Sequence, residues 1–164
     1  MLFRSRDKGK DFDGGSQSMS EMQIIDGLPF VNLQVTYKQS FAILLKVLVD
    51  TGSAGTILSF DKLAEIGLEI EAHDTIEIIK GVGGRELVIT KTVDRIQIGD
   101  LFAEDFTIEV GAMDYGFDIN GIIGMDFLLK NKAILDMDSL TIIKKNVTTI
   151  SQSFWRPLWI QKNI

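Results

Sequence analysis

Val47-Leu48-Val49-Asp50-Thr51-Gly52-Ser53 decides how this chain is read. An apolar run rich in β-branched residues drives straight into Asp-Thr-Gly. A carboxylate is costly to bury, so one at the end of a buried strand points to chemistry. A small hydroxyl residue and a glycine stand beside it. That set suits acid–base activation of a water molecule. Taken alone, the tripeptide reads equally well as an ordinary turn, so its setting has to separate the two readings.

Working outward, strand patterns dominate from Met22 onward. Val31, Leu33, Val35 and Tyr37 alternate with polar residues, the period-two mark of a half-buried strand. Residues 41–49 are almost continuously apolar, which predicts a strand buried on both faces. After the turn, residues 56–58 read as a short strand. Ser59 is placed to cap a helix over 60–66, and Gly67 to stop it. Strands are predicted over 75–80, 86–98 and 101–110, with Gly99-Asp100 closing the last pair. A loop over 111–118 precedes an apolar strand at 119–124 and a helical turn at 125–130. Residues 133–137 and 140–144 form a final hairpin. Two strand-turn-helix pieces, 47–66 and 119–130, hint at a weak internal repeat.

Composition narrows the chemistry. The chain has 164 residues, enough for one domain with a substantial core. Its formal charge of −6 and lack of a dense basic patch argue against a nucleic-acid partner. The apolar run at 41–49, interrupted by Lys46, is too short to span a bilayer. No secretory apolar segment follows the N-terminus, so the expected location is cytoplasmic. With no cysteine, disulfides, thiol nucleophiles and thiolate metal sites are out. The single histidine, His73, lies in a polar segment and reads as a solvated turn residue. A Ser-His-Asp triad or a multi-histidine metal site is therefore hard to build, and carboxylates remain. Residues 1–20 read as a flexible leader or appended remnant, 21–147 as the domain, and 148–164 as an apolar tail.

Three pieces now line up in order: Val49-Asp50-Thr51-Gly52-Ser53, then Gly81-Val82-Gly83-Gly84, then Gly121-Ile122-Ile123-Gly124. Their succession over residues 22–145 resembles the retropepsin-like aspartic proteases, single-domain relatives of the pepsins. The resemblance implies a mainly β, closed barrel-like acid-protease fold with two short helices. It also implies an active site at the interface of a C2 homodimer. Asp50, Thr51 and Gly52 would be catalytic, with Ser53 hydrogen-bonded to the Asp50 carboxylate. Gly81, Val82, Gly83 and Gly84 would form the tip of a flap, three glycines letting backbone N–H groups close on an extended substrate. Ile119, Ile122 and Val82 are candidate pocket walls, although isolated apolar residues are more often core. The partner is a polypeptide substrate, with no nucleic acid and no membrane. The chemistry requires no metal and no cofactor.

The mechanism that follows needs two carboxylates. One takes a proton from water while the other protonates the scissile carbonyl. Two such groups in contact share one proton, the established behaviour of aspartic proteases. The chain carries one Asp-Thr-Gly, so the second carboxylate belongs to another copy. A Ser53 hydroxyl on Asp50 would give a more acidic optimum than alanine there. Ala54 and Met125 stand where retroviral members carry an Asp and an Arg that pair near the dimer interface. Both partners are missing together, which points to a different dimer contact. The competing reading is a catalytically silent module of the same fold that binds peptides or dimerises. A form that cleaves only itself and a Ser hydrolase rank lower.

Overall fold

The computed structural model describes residues 20–81, 84–116 and 118–145. The elements run β1 (Gln23–Ile25), β2 (Leu28–Tyr37), β3 (Ser40–Val49), β4 (Ile57–Ser59), α1 (Phe60–Ala64), β5 (Ile76–Gly81) and β6 (Gly84–Ile98). They continue with β7 (Leu101–Gly111), β8 (Gly121–Ile123), α2 (Met125–Asn131), β9 (Ala133–Asp136) and β10 (Thr141–Lys144). One sheet is ordered β1-β2-β3-β8-β4-β7-β6-β5, and a β2–β6 pairing closes six of its strands into a barrel. The fold is thus the mainly β, retropepsin-like barrel with two short helices.

Turn chemistry accounts for the hairpins. Asp26 and Gly27 both take positive φ (51° and 82°) between β1 and β2, the pairing that an Asp-Gly hairpin turn requires. Gly67, at φ 83°, ends the first helix as expected. The Leu68 amide reaches back to the Leu63 carbonyl and the Gly67 amide to that of Ala64, and buried Leu63 and Leu68 complete the stop. Ser59 does stand at the head of α1, but its side chain makes no capping hydrogen bond.

Leu33, Leu44, Leu58, Ile96, Ile108, Ile123 and Phe127 fill the barrel, each 0–1% exposed. Each such side chain contributes roughly 1.5–3 kcal/mol by leaving water. Phe127 meets Phe106 edge-on at 6.0 Å, which fixes α2 against β7.

The expectation that residues 41–49 are buried on both faces is corrected. Phe41, Ile43 and Leu45 are 63%, 50% and 55% exposed. The register sets which residues face inward. Val31 pairs with Val47 and Leu33 with Leu44, so Leu45 and Lys46 together oppose Asn32. Lys46 takes φ 54°, and the extra residue makes a β-bulge. Before it Leu44 points inward, whereas after it Val47 and Val49 do. The run looks continuously apolar because the outward-facing Phe41, Ile43 and Leu45 are themselves apolar. The phase shift also sends Val49 into the core and leaves Asp50, the next residue, half-buried.

The N-terminal residues that are described belong to the fold. Ser20 accepts from the Ile142 amide at 2.8 Å, and the Met22 amide donates to the Leu140 carbonyl at 2.7 Å. Of the leader read over 1–20 only Ser20 is described, and the tail over 148–164 lies outside the described residues. Among the described residues, no helix is long and apolar enough to cross a membrane.

Candidate active site

The Asp50 turn is held between β3 and the segment that follows β8. Strands β3 and β8 run parallel, pairing Val47 with Gly121 and Val49 with Ile123. The Asp50 amide extends that ladder to the Ile123 carbonyl at 3.0 Å. Beyond it the backbone reverses, the Ser53 amide donating to the Asp50 carbonyl at 3.2 Å. The Gly52 amide donates to the Asp50 carboxylate at 2.8 Å. Thr51 and Gly52 are exposed at the crest of the turn.

The Ser53 hydroxyl does not reach Asp50 within the chain. It donates to the Gly55 carbonyl at 2.8 Å. Its one proton goes to bracing the loop, so the argument for an acid-shifted optimum loses the donor it needed.

Further stitches come from residues that sequence reasoning missed. Met125 and Asp126 donate their amides to the Ser53 and Ala54 carbonyls at 2.9 and 3.1 Å. The Asp126 carboxylate accepts from the Thr56 hydroxyl at 2.7 Å and from the Thr56 amide at 3.0 Å. Thr56 is buried, and its hydroxyl oxygen in turn accepts from the Gly124 amide at 3.2 Å. Gly124 is required by contact: a Cβ there would stand 2.2 Å from the Gly55 carbonyl oxygen. The signals were present, an acidic residue in the first turn of α2 and a threonine closing the Ser-Ala-Gly stretch. Neither stands out without knowing that the two segments touch. Where the resemblance placed an Asp–Arg pair, Ala54 and Met125 contribute backbone only, and Asp126 does the bridging inside one chain.

The candidate pocket walls lie together. Ile119 is buried and Ile122 half-buried in a small apolar cluster with Phe30, Ile57, Val88 and Met113. Leu48, Tyr115 and Ile79 pack on its margin. This cluster is separate from the barrel core, so both isoleucines are packed side chains. Tyr115 and Met113 come from the loop before β8, which pattern reading treated as featureless.

Strands β5 and β6 form the predicted hairpin, paired from Ile76–Ile89 to Gly81–Gly84. Val82 and Gly83, the two residues between, lie outside the described residues. Ile76, Ile78 and Leu87 are all more than half exposed along the arm. At the base, the Lys91 ammonium lies 2.7 Å from Asp74 and 3.2 Å from Glu71. The Lys91 and Asp74 side chains expose under a tenth of their surface. The Glu71 amide, then Lys91, holds Asp74 below the usual carboxylate range. Desolvation works against the Lys91 charge, but hydrogen bonds to Asp74 and Glu71 outweigh it and raise its pKa. His73 sits beside Glu71 at 3.4 Å with its side chain 81% exposed, a solvated turn residue as read. Glu71, His73 and Asp74 are close enough for a cation, and Lys91 already supplies the positive charge.

A six-stranded barrel with an Asp-Thr-Gly turn beside a strand-Gly-helix element is the arrangement of the retropepsin-like aspartyl protease fold. A family model, the gag-polyprotein putative aspartyl protease, matches residues 44–130, just over half the chain, and the chain belongs to that family. The match runs from Leu44 in β3 through the turn, the hairpin and β8 to Lys130 in α2. No curated protein matches the chain.

Proposed function

We propose that this protein is an aspartic endopeptidase that hydrolyses extended polypeptides as a C2 homodimer. Asp50 of each copy supplies one carboxylate of the reacting pair. One, ionised, takes a proton from the attacking water, and its protonated twin donates to the substrate carbonyl oxygen. Contact between the two keeps a single proton shared across them. The observation that carries the reading is the turn itself: an aspartate half-buried at a strand end, with exposed Thr51 and Gly52 beside it. Thr51 would hydrogen-bond across the two-fold axis, and Gly52 would allow the close approach of a partner turn and substrate. Ser53 would brace the loop through Gly55. Gly81, Val82, Gly83 and Gly84 would close over the substrate, with Ile119 and Ile122 contributing to its apolar floor.

The test is cleavage of a peptide library between pH 4 and 6 by the wild-type chain and by Asp50→Asn. Loss of a general base costs about 10²–10⁴-fold, so cleavage should fall at least that far with the fold intact. Cleavage by neither chain would leave a peptide-binding or dimerisation module, and equal cleavage by both would show that Asp50 does not carry the reaction.

A further inference from the structure

We propose that the C-terminal stretch Phe154-Trp155-Arg156-Pro157-Leu158-Trp159-Ile160 folds back onto the outer face of β3 in its own chain. That face carries Phe41, Ile43 and Leu45 in a row, each half or more exposed. The same strand has an open edge. β2 pairs along one side of it, but β8 meets the other side only at Val47–Val49. Asn120 closes the Leu45 and Lys46 carbonyls. From Ser40 to Leu44 no described strand pairs with that edge. An apolar strand with a free edge invites another chain, and natural proteins cover such edges.

Geometry selects the occupant. On the outer face, Ile43 stands across from Gln34, Gln34 from Gln97, and Gln97 from Phe102. The Phe102 ring lies under the Arg95 guanidinium, at 4.1 Å, and is reached by the Lys144 ammonium, at 5.8 Å. The described chain therefore ends, at Lys145, beside the far end of the very row that begins at Ile43. Three interstrand spacings separate Phe102 from Ile43, roughly 14 Å. The nine residues from Lys145 to Phe154 can span up to about 30 Å. The other exposed apolar row, on the β5–β6 arm, begins at Ile76 opposite Ile89, eight residues further along β6 and roughly 26 Å away, nearly twice the distance to Ile43.

The chemistry of the segment fits the destination. Five of its seven residues are large and apolar. Val147, Thr148, Thr149 and Ile150 favour an extended approach. Pro157 has no N–H to donate and so suits the outermost strand of a sheet, where that position faces solvent. The planar faces of Trp155 and Trp159 can rest on Phe41, Ile43 and Leu45 while their ring N–H groups reach the neighbouring Gln34 or Gln97.

Trp155 and Trp159 are the only tryptophans in the chain, so its indole fluorescence reads this segment alone. In the full chain, emission should be blue-shifted from that of the urea-unfolded protein, shielded from acrylamide, and independent of concentration. Replacing the three exposed residues together (Phe41→Ser, Ile43→Ser, Leu45→Ser) should shift emission to the red and restore quenching. A second arm does not depend on that variant folding. The chain has no cysteine, so a nitroxide on Ile43→Cys should quench the tryptophans, and one on Glu77→Cys in β5 should not. Three results would overturn the proposal. One is emission like that of the unfolded chain. Another is shielding that survives loss of the β3 row with no quenching from position 43. The last is shielding that appears only as concentration rises, which would seat the segment on a second copy.

Discussion

Around the Asp50 turn, backbone groups and buried side chains are tied across from one segment to the next. Ser53, Ala54 and Thr56 are bonded to Met125, Asp126 and Gly124, and the loop packs against α2 with no room for a methyl group. The β5–β6 arm is built on other terms. It is paired to itself, carries three exposed apolar side chains, and is pinned at its base by Lys91 between Asp74 and Glu71. The contrast matches the two tasks. Acid–base chemistry needs a carboxylate held to a fixed position, while a cover must open for substrate and close over it. Under the proposed function, a network of short hydrogen bonds would serve the first, and a two-stranded arm anchored at one end would serve the second.

The contrast breaks most readily at Gly124. Gly124→Ala should cost about 3 kcal/mol or more, at the top of the range for overpacking, because the clash is with backbone. Urea unfolding measures it, and a loss under ~1 kcal/mol would show that the loop is looser than described. Asp126→Ala comes next. It strands the buried Thr56 hydroxyl and amide, so a loss of about 2 kcal/mol is expected, with activity falling further than stability alone explains.

At the base of the arm, Lys91→Met sharpens the comparison through pH. Asp74 is held below its unfolded value of about 3.9, so its pairing stabilises the fold above that value. The contribution is lost as pH falls through the lower folded-state value. Lys91 is raised, so its share is present below its unfolded value and lost as pH rises through the folded one. The variant should be less stable near neutrality and show a flatter profile at both extremes. Amide exchange should quicken in β5 and not around Asp50. His73→Ala should leave stability measurably unchanged, because that ring is solvated.

Much of the architecture was legible because period-two alternation and glycine turns speak locally. The hairpins closed by Gly99 and the helix stop at Gly67 fall where the sequence puts them. Failures came where meaning depends on a distant segment. The exposed face of β3 was hidden because its outward residues, Phe41, Ile43 and Leu45, are as apolar as its inward ones, and the bulge at Lys46 leaves no composition signature either. In sequence Ser53 stands near both Asp50 and Gly55, and only the path of the loop decides that the Gly55 carbonyl takes its proton. The Thr56–Asp126 clamp joins residues 70 positions apart and is invisible without the fold. The Asp-Gly turn at Asp26-Gly27 was readable and passed over, because the strand before it is only three residues long.

The central claim is that Asp50 works with a second Asp50. Mixing tests it directly: hold wild-type protein constant, add increasing Asp50→Asn chain, and follow peptide cleavage after equilibration. If the site is shared, inactive chains capture active ones and the rate falls steadily as the variant passes equimolar. A rate that stays constant at large excess of a folded variant would mean that one chain carries a complete site, contradicting the account.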